Sequence, residues 1–269
     1  MRFGKQPPTV TPRTVHPMIE VAGGIPLPPL PNSSAYYQAV TTAASADPRL
    51  SWGTFENTPT TGDFNDCTIA AAGHMTQLWT ANIGGELKFS DGDVSAAYKH
   101  FVGDDTKKDL KMRDVLEYWR TVGIGNHKIQ AYGQIQNQNV KQIKYSISLL
   151  GGCYIGLGLP SALFDQHTDP TAVQGGKWGS TPNPPDGDYA PNPENGHTIA
   201  AVGFDDDSLS FVTWGKQIQM TWQFLKTYMD EAWGLVSPDW VSSGSGKSPS
   251  GFDLTGLGFA LEALQRIPI

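Results

Sequence analysis

From residue 67 to residue 122 the apolar residues recur at helical spacing, whereas after residue 128 short alternating and apolar runs dominate. Ile69, Ala72, Met75 and Trp79 share one face of a helix predicted over 67–82. Phe89 to Tyr98 opens on a capping signal and predicts a short helix. Leu110, Met112, Val115, Leu116, Trp119 and Val122 predict an amphipathic helix over 109–122, closed by Gly123. Lys128–Tyr132 then alternates like a strand, Asn139–Leu150 reads as a helix, and Cys153–Leu159 reads as a buried strand. His197–Phe204 predicts the first strand of a hairpin that turns at Asp205-Asp206-Asp207 and returns through Leu209–Gly215. Residues 219–232 predict a helix with aromatic anchors, Ala232–Val236 a closing strand, and Ser242–Ser250 a linker to a terminal helix around Leu257–Gln265. Such a chain folds as a mixed α and β body.

Residues 1–50 hold Pro7, Pro8, Pro12, Pro17, Pro26, Pro28, Pro29 and Pro31, which exclude a helix and predict an extended arm. A strap on the body, an arm for protein assembly partners and a removable pro-segment all remain open for it. Between Phe164 and Asn195 lies a long loop with Trp178 and Pro182-Asn183-Pro184-Pro185, expected to rim a groove, act as a lid or touch a partner. The net charge of −7 and pI near 5.3 argue against nucleic acid as a partner. No apolar run approaches the ~18 residues a membrane span needs. Met1–Pro8 carries no apolar signal region, and Cys67 and Cys153 are expected as free thiols, so a reducing, cytoplasmic setting is expected. His16, His74, His100, His127, His167 and His197 show no metal-ligand spacing, and no glycine-rich phosphate loop follows a strand. Neither a metal nor a cofactor is expected.

Gly62-Asp63-Phe64-Asn65-Asp66-Cys67 reads as a loop that ends on an acidic helix cap, with Cys67 as the first helical residue. There the helix dipole favours thiolate over thiol, which makes the sulfur a better nucleophile. His74 lies two turns further along, about 10 Å by helical rise, and is expected as a packed histidine. His197, at the open end of its strand, is the histidine suited to a thiol. Together they are what acyl transfer needs: a thiolate to attack a carbonyl, an imidazole to move the proton, and helix-start N–H groups for the oxyanion.

The order of these segments resembles papain-like cysteine peptidases of a divergent, bacterial or phage type. Asp66-Cys67-Thr68-Ile69-Ala70-Ala71 is similar to the family's nucleophile helix. Asp114–Ile124 resembles its helix before an "-NGI-" turn, and Gly151–Leu157 with Phe164 its "GPVSVAI…F" strand. His197–Phe204 resembles its "HAVAAVGY" strand, and Trp214-Gly215 the end of "NSWG". The likeness covers roughly residues 55–240. It implies an α+β, papain-like two-lobe fold: a helical lobe over about 51–125 carrying Cys67, an antiparallel β lobe over about 126–241 carrying His197, and a groove between them. Residues 1–50 then precede the domain as an extended arm, and 242–269 follow it as linker and short helix. The implied activity is hydrolysis of peptide amides in a peptide or protein substrate, with Trp178 and Trp214 expected at the substrate.

The family's histidine-orienting Asn is replaced by Val212, which cannot bond an imidazole. Thr213, sixteen positions after His197, is the expected substitute. The family's oxyanion Gln is replaced by Thr61; Asn57 and Asn65 are the nearby amides, and Asn57 with the Cys67 N–H is the expected oxyanion pair. Loss of both supporting positions also supports a second expectation, a papain-like scaffold without turnover that binds or builds, for example as a virion component.

Overall fold

The computed structural model describes residues 4–6, 26–38, 65–105, 107–164, 177–179, 182 and 184–268. Helix α1 (Cys67–Asn82) is buried on nearly every side, and Ala70, Ala71 and Ala72 keep it slim enough for the sheet to approach. Helix α2 (Asp91–Val102) starts at a capping box in which Ser90 and Asp93 satisfy each other's backbone N–H. Helix α3 (Met112–Thr121) turns Met112, Val115, Leu116 and Trp119 inward. Helix α4 (Val140–Leu150) begins where the Asn139 side chain accepts the Gln142 N–H. It ends at Gly151, whose φ of +76° and tight fit against the Trp240 ring leave no room for a Cβ.

The strands are β1 (Ser34–Ala35), β2 (Ala131–Gln134), β3 (Cys153–Gly158), β4 (Lys177–Trp178), β5 (Gly196–Phe204), β6 (Ser208–Thr213), β7 (Lys216–Thr221) and β8 (Met229–Val236). They form one sheet in the order β2-β8-β3-β5-β6-β7-β4, with β1 added on β5. All pairings are antiparallel except β4 on β7. β3 and β5 are buried along their whole length, as the centre of a sheet covered on both faces must be.

The helix expected over 219–232 is corrected. Residues 216–221 are strand β7, helix α5 spans only Trp222–Tyr228, and β8 already begins at Met229. Ile218 and Met220 point inward between Gln217 and Gln219, a period of two, and the Thr221 hydroxyl then caps α5 by accepting the Phe224 N–H at 3.1 Å. The Asp66 cap is corrected as well. Its carbonyl, not its carboxylate, accepts the Ile69 and Ala70 N–H groups. The carboxylate, 4% exposed, instead lies near the Tyr98 phenol, whose pKa it helps to raise after burial.

Residues 26–38 run along the body: Pro28 carbonyl accepts from Tyr145 Oη, Tyr36 Oη donates to Ser148 carbonyl at 2.9 Å, and Tyr36 packs edge-on to Trp240. Helix α6 (Leu254–Gln265) docks on α4, β2 and β8, with Gln265 Nε2 donating to the Gln134 carbonyl. Among the described residues no helix is long and apolar enough to cross a membrane.

Candidate active site between helix start and sheet

Cys67 is the first residue of α1 and is partly exposed, while the Thr68 carbonyl behind it accepts a buried 2.7 Å hydrogen bond from Tyr154 Oη on β3. Tyr154 is fully enclosed. Burial raises its pKa well above the usual tyrosine value, and the nearby Cys67 and Glu231 charges raise it further. A neutral phenol therefore pins α1 to the sheet at any ordinary pH.

His197 is the second residue of β5, opposite Leu157 of β3, and is 2% exposed. Its Nε2 meets Thr213 Oγ1 at 2.5 Å. Thr213 ends β6, and the turn to β7 consists of two residues, Trp214 and Gly215, both at positive φ (47° and 66°). A two-residue hairpin of that hand favours Asn-Gly, so a tryptophan there is held against its backbone preference. Its position has a geometric result: the indole lies flat on the His197 ring, with centroids 4.3 Å apart and planes 14° apart. Trp214 thus covers the His197–Thr213 pair and shields that bond from water.

Trp178, expected at the substrate, is 1% exposed and packs on Phe211, Phe224 and Trp214. It lies against Trp214 in the core and presents almost no surface of its own. Asn65 donates Nδ2 to the Lys107 carbonyl and to Asp109 Oδ1, each at 2.8 Å, which ties its amide to the loop before α3. Asn57 and Thr61 lie outside the described residues. Cys153 is fully buried, and burial pushes its thiol up to about 12; neither cysteine is in a disulfide. It is a packing residue. His74 is likewise buried within α1.

Gly4, Lys5 and Gln6, which sequence reasoning did not single out, bridge Leu110 ahead of α3 and Gly196 at the start of β5. The Leu110 N–H donates to the Gly4 carbonyl at 2.7 Å, Gln6 N–H donates to the Leu110 carbonyl at 2.7 Å, and Lys5 N–H donates to the Gly196 carbonyl at 3.3 Å. A Cβ on Gly4 would run into the Asn65 carbonyl. Two consecutive residues therefore touch Asn65, two before Cys67, and Gly196, one before His197. Asp230 and Glu231 receive the Lys5 ammonium, at 2.6 Å from Asp230 Oδ2 and 3.5 Å from Glu231 Oε1. A signal for this pair existed: an acidic dipeptide at the head of the otherwise apolar strand Met229–Val236.

Burial raises the Glu231 carboxyl above its usual 4.5, against the opposing pull of Lys5 and the Trp233 indole; Asp230 adds to the rise. The groups facing it are Lys5, Asp230 and Tyr154. A carboxyl whose folded pKa is raised stabilises the fold most below about 4.5, and that contribution is lost as pH rises through the folded value. Glu231→Gln is therefore expected to gain stability relative to the parent as pH increases from 4 to 7, read from urea midpoints. A constant difference across that range would refute an ionised, costly Glu231. Among the described residues no group of three or more His, Cys, Asp or Glu side chains is arranged to hold a metal ion.

No protein-family model matches the chain, and no curated protein shows significant sequence similarity to it. Solved structures do match. The chain is similar to xylellain, a cysteine protease from Xylella fastidiosa, with a TM-score of 0.54 and 12% identity over 87% of this chain and 96% of that one. It is also similar to the Carica candamarcensis cysteine protease CMS1MS2, with a TM-score of 0.49 and 14% identity over 76% and 98% of the respective chains.

Proposed function

We propose that this chain, which has the papain-like two-lobe fold, is a thiol peptidase that uses Cys67 and His197. The observation that supports the reading is the His197–Thr213 contact under the flat Trp214 ring, together with a partly exposed Cys67 at the start of α1. With Nε2 donating to Thr213, Nδ1 holds the lone pair that takes the Cys67 proton. The thiolate attacks an amide carbonyl, a sulfur–carbon bond forms, and the Cys67 N–H at the helix start stabilises the oxyanion. His197 then returns the proton to the leaving nitrogen as the carbon–nitrogen bond breaks. Water, deprotonated by His197, releases the acyl group and restores the thiol. Asn57 is the second oxyanion donor in this reading, and Trp214, backed by Trp178, forms a wall for the substrate.

The test is the pH dependence of Cys67 carboxamidomethylation by iodoacetamide, which a partly exposed thiol admits. The parent is expected to react as a thiolate well below pH 8, and His197→Ala is expected to shift the profile to that of an ordinary thiol. Identical profiles would sink the dyad. Thr213→Val keeps the shape of the side chain and removes its hydroxyl. It is expected to lower turnover on the order of 10²-fold, with the acid limb of the pH–rate profile displaced. An unchanged profile would remove Thr213 from the site.

One observation favours a second reading, a papain-like scaffold that binds or builds without turnover: residues 4–6 bond Leu110 and Gly196, where this reading of the fold puts the groove. In that reading the N-terminal arm serves protein assembly, as in a virion component. Amide hydrolysis by a variant with the groove emptied would exclude it.

A further inference from the structure

Among the described residues Lys5 is the one buried lysine, at 1% exposure. Its stem passes over Gly156 of β3, where any Cβ would collide with Lys5 Cε and crowd Met112 Sδ and Asp230 Oδ1 at 2.8 Å. The absence of a side chain at Gly156 thus opens a channel whose wall is Met112 and whose end is Asp230 and Glu231. Glu231 is fixed by the Trp233 indole N–H at 3.0 Å, so its half of the acidic end does not depend on Lys5 for its shape. Asp230 Oδ2 takes the ammonium, whereas Asp230 Oδ1 is buried and accepts no hydrogen bond. One carboxylate oxygen is left over by a lysine, and the two parallel N–H groups of a guanidinium would use both.

The main chain of the same residues is held without regard to sequence. Leu110 and Gly196 bond the backbone of Gly4–Gln6 from opposite sides of the groove. Backbone pairing of an extended segment combined with one side-chain pocket is how proteins capture peptides by strand addition.

We propose that the Asp230–Glu231 pocket is a recognition pocket for an arginine or lysine side chain of an extended peptide, and that Lys5 occupies it in cis. The inference rests on the reading of the groove as a peptide site. A neutral side chain there leaves buried carboxylate unpaired, so selectivity follows from the penalty on the wrong guest as much as from attraction to the right one. Gly4 lies on Asn65, two residues before Cys67, and Lys5 on Gly196, one before His197, so in this proposal a peptide that takes the place of the resident segment also comes close to both side chains. A tethered occupant competes at an effective concentration on the order of millimolar, so a basic peptide displaces it only at comparable concentration.

The experiment uses the full chain and Lys5→Ala, with acetyl-Gly-Arg-Gln-amide and its norleucine counterpart as probes. Binding is read as protection of Cys67 from iodoacetamide, which needs no turnover. Lys5→Ala is expected to alkylate about tenfold faster than the parent. The arginine peptide is expected to protect Lys5→Ala at a concentration roughly 30-fold or more below that of the norleucine peptide. Adding Asp230→Asn and Glu231→Gln is expected to erase that difference. Should Lys5→Ala fail to fold by circular dichroism, Lys5→Met keeps the stem, drops the charge and serves in its place; Lys5→Arg is expected to remain as slowly alkylated as the parent. Equal alkylation of parent and released variant, or equal protection by both peptides, overturns the proposal. Selective protection by arginine with no cleavage supports the pocket and refutes the peptidase. Cleavage without preference for a basic residue does the reverse.

Discussion

Cys67→Ala is expected to abolish amide hydrolysis, a loss of at least roughly 10⁴-fold, measured with an arginine-containing fluorogenic peptide in the Lys5→Ala background. The change removes one partly exposed sulfur at a helix start, so the unfolding free energy is expected to move by less than about 0.5 kcal/mol. His197→Ala is expected to cost a similar factor, and the double variant little more, because nucleophile and base act in one step. Stability separates them. His197 is 2% exposed, bonded to Thr213 and stacked under Trp214, so its removal leaves a cavity and a buried hydroxyl that has lost a partner. Persistent hydrolysis by Cys67→Ala would remove the thiol from the chemistry altogether.

The largest expected effect on stability is at Trp79, in the fourth turn of the same helix. It is fully buried, donates Nε1 to the Leu150 carbonyl at 3.0 Å, and stacks on Trp119 with centroids 5.6 Å apart. Trp119 in turn meets Tyr154, the residue that bonds the Thr68 carbonyl. Trp79→Ala empties a large volume and deprives a buried carbonyl of its donor, and about 3–5 kcal/mol should be lost in urea unfolding. Trp79→Phe keeps much of the volume and is expected to lose markedly less. A loss below about 1 kcal/mol for the alanine variant would mean the helix is held by other contacts.

The helices and the hairpin were legible because their ends are chemical. Ser90 and Asp93, Asn139 and Gly151 each do in space what their residue types announce. The strand 216–221 was not: its two inward residues, Ile218 and Met220, were outweighed by the aromatic run at 222–228, whose helical spacing extends backward without a visible break. Thr221 is that break, and a threonine is an ambiguous cap. At the candidate site, the contact of Thr213 with His197 was legible from their separation along the chain, and the order of the segments is what joins Cys67 to His197 in one proposal. Lys5, Asp230 and Glu231 were not, because a lysine in a proline-rich arm and an acidic pair before a strand both read as solvated. Trp214 was legible as a residue of interest but not in its role, since nothing in a sequence announces that a tryptophan will accept a left-handed backbone to lie on an imidazole.

The salt bridge from residue 5 to residue 230 joins positions 225 apart. During synthesis the first residues emerge long before their binding site exists, for it needs Leu110, Gly156, Gly196 and Asp230 assembled together. Docking of this segment is therefore expected to follow assembly of the rest of the fold, after the main barrier. Loosening it should leave the refolding rate nearly untouched and appear almost wholly as faster unfolding. The chain's opening residues act as a closing latch.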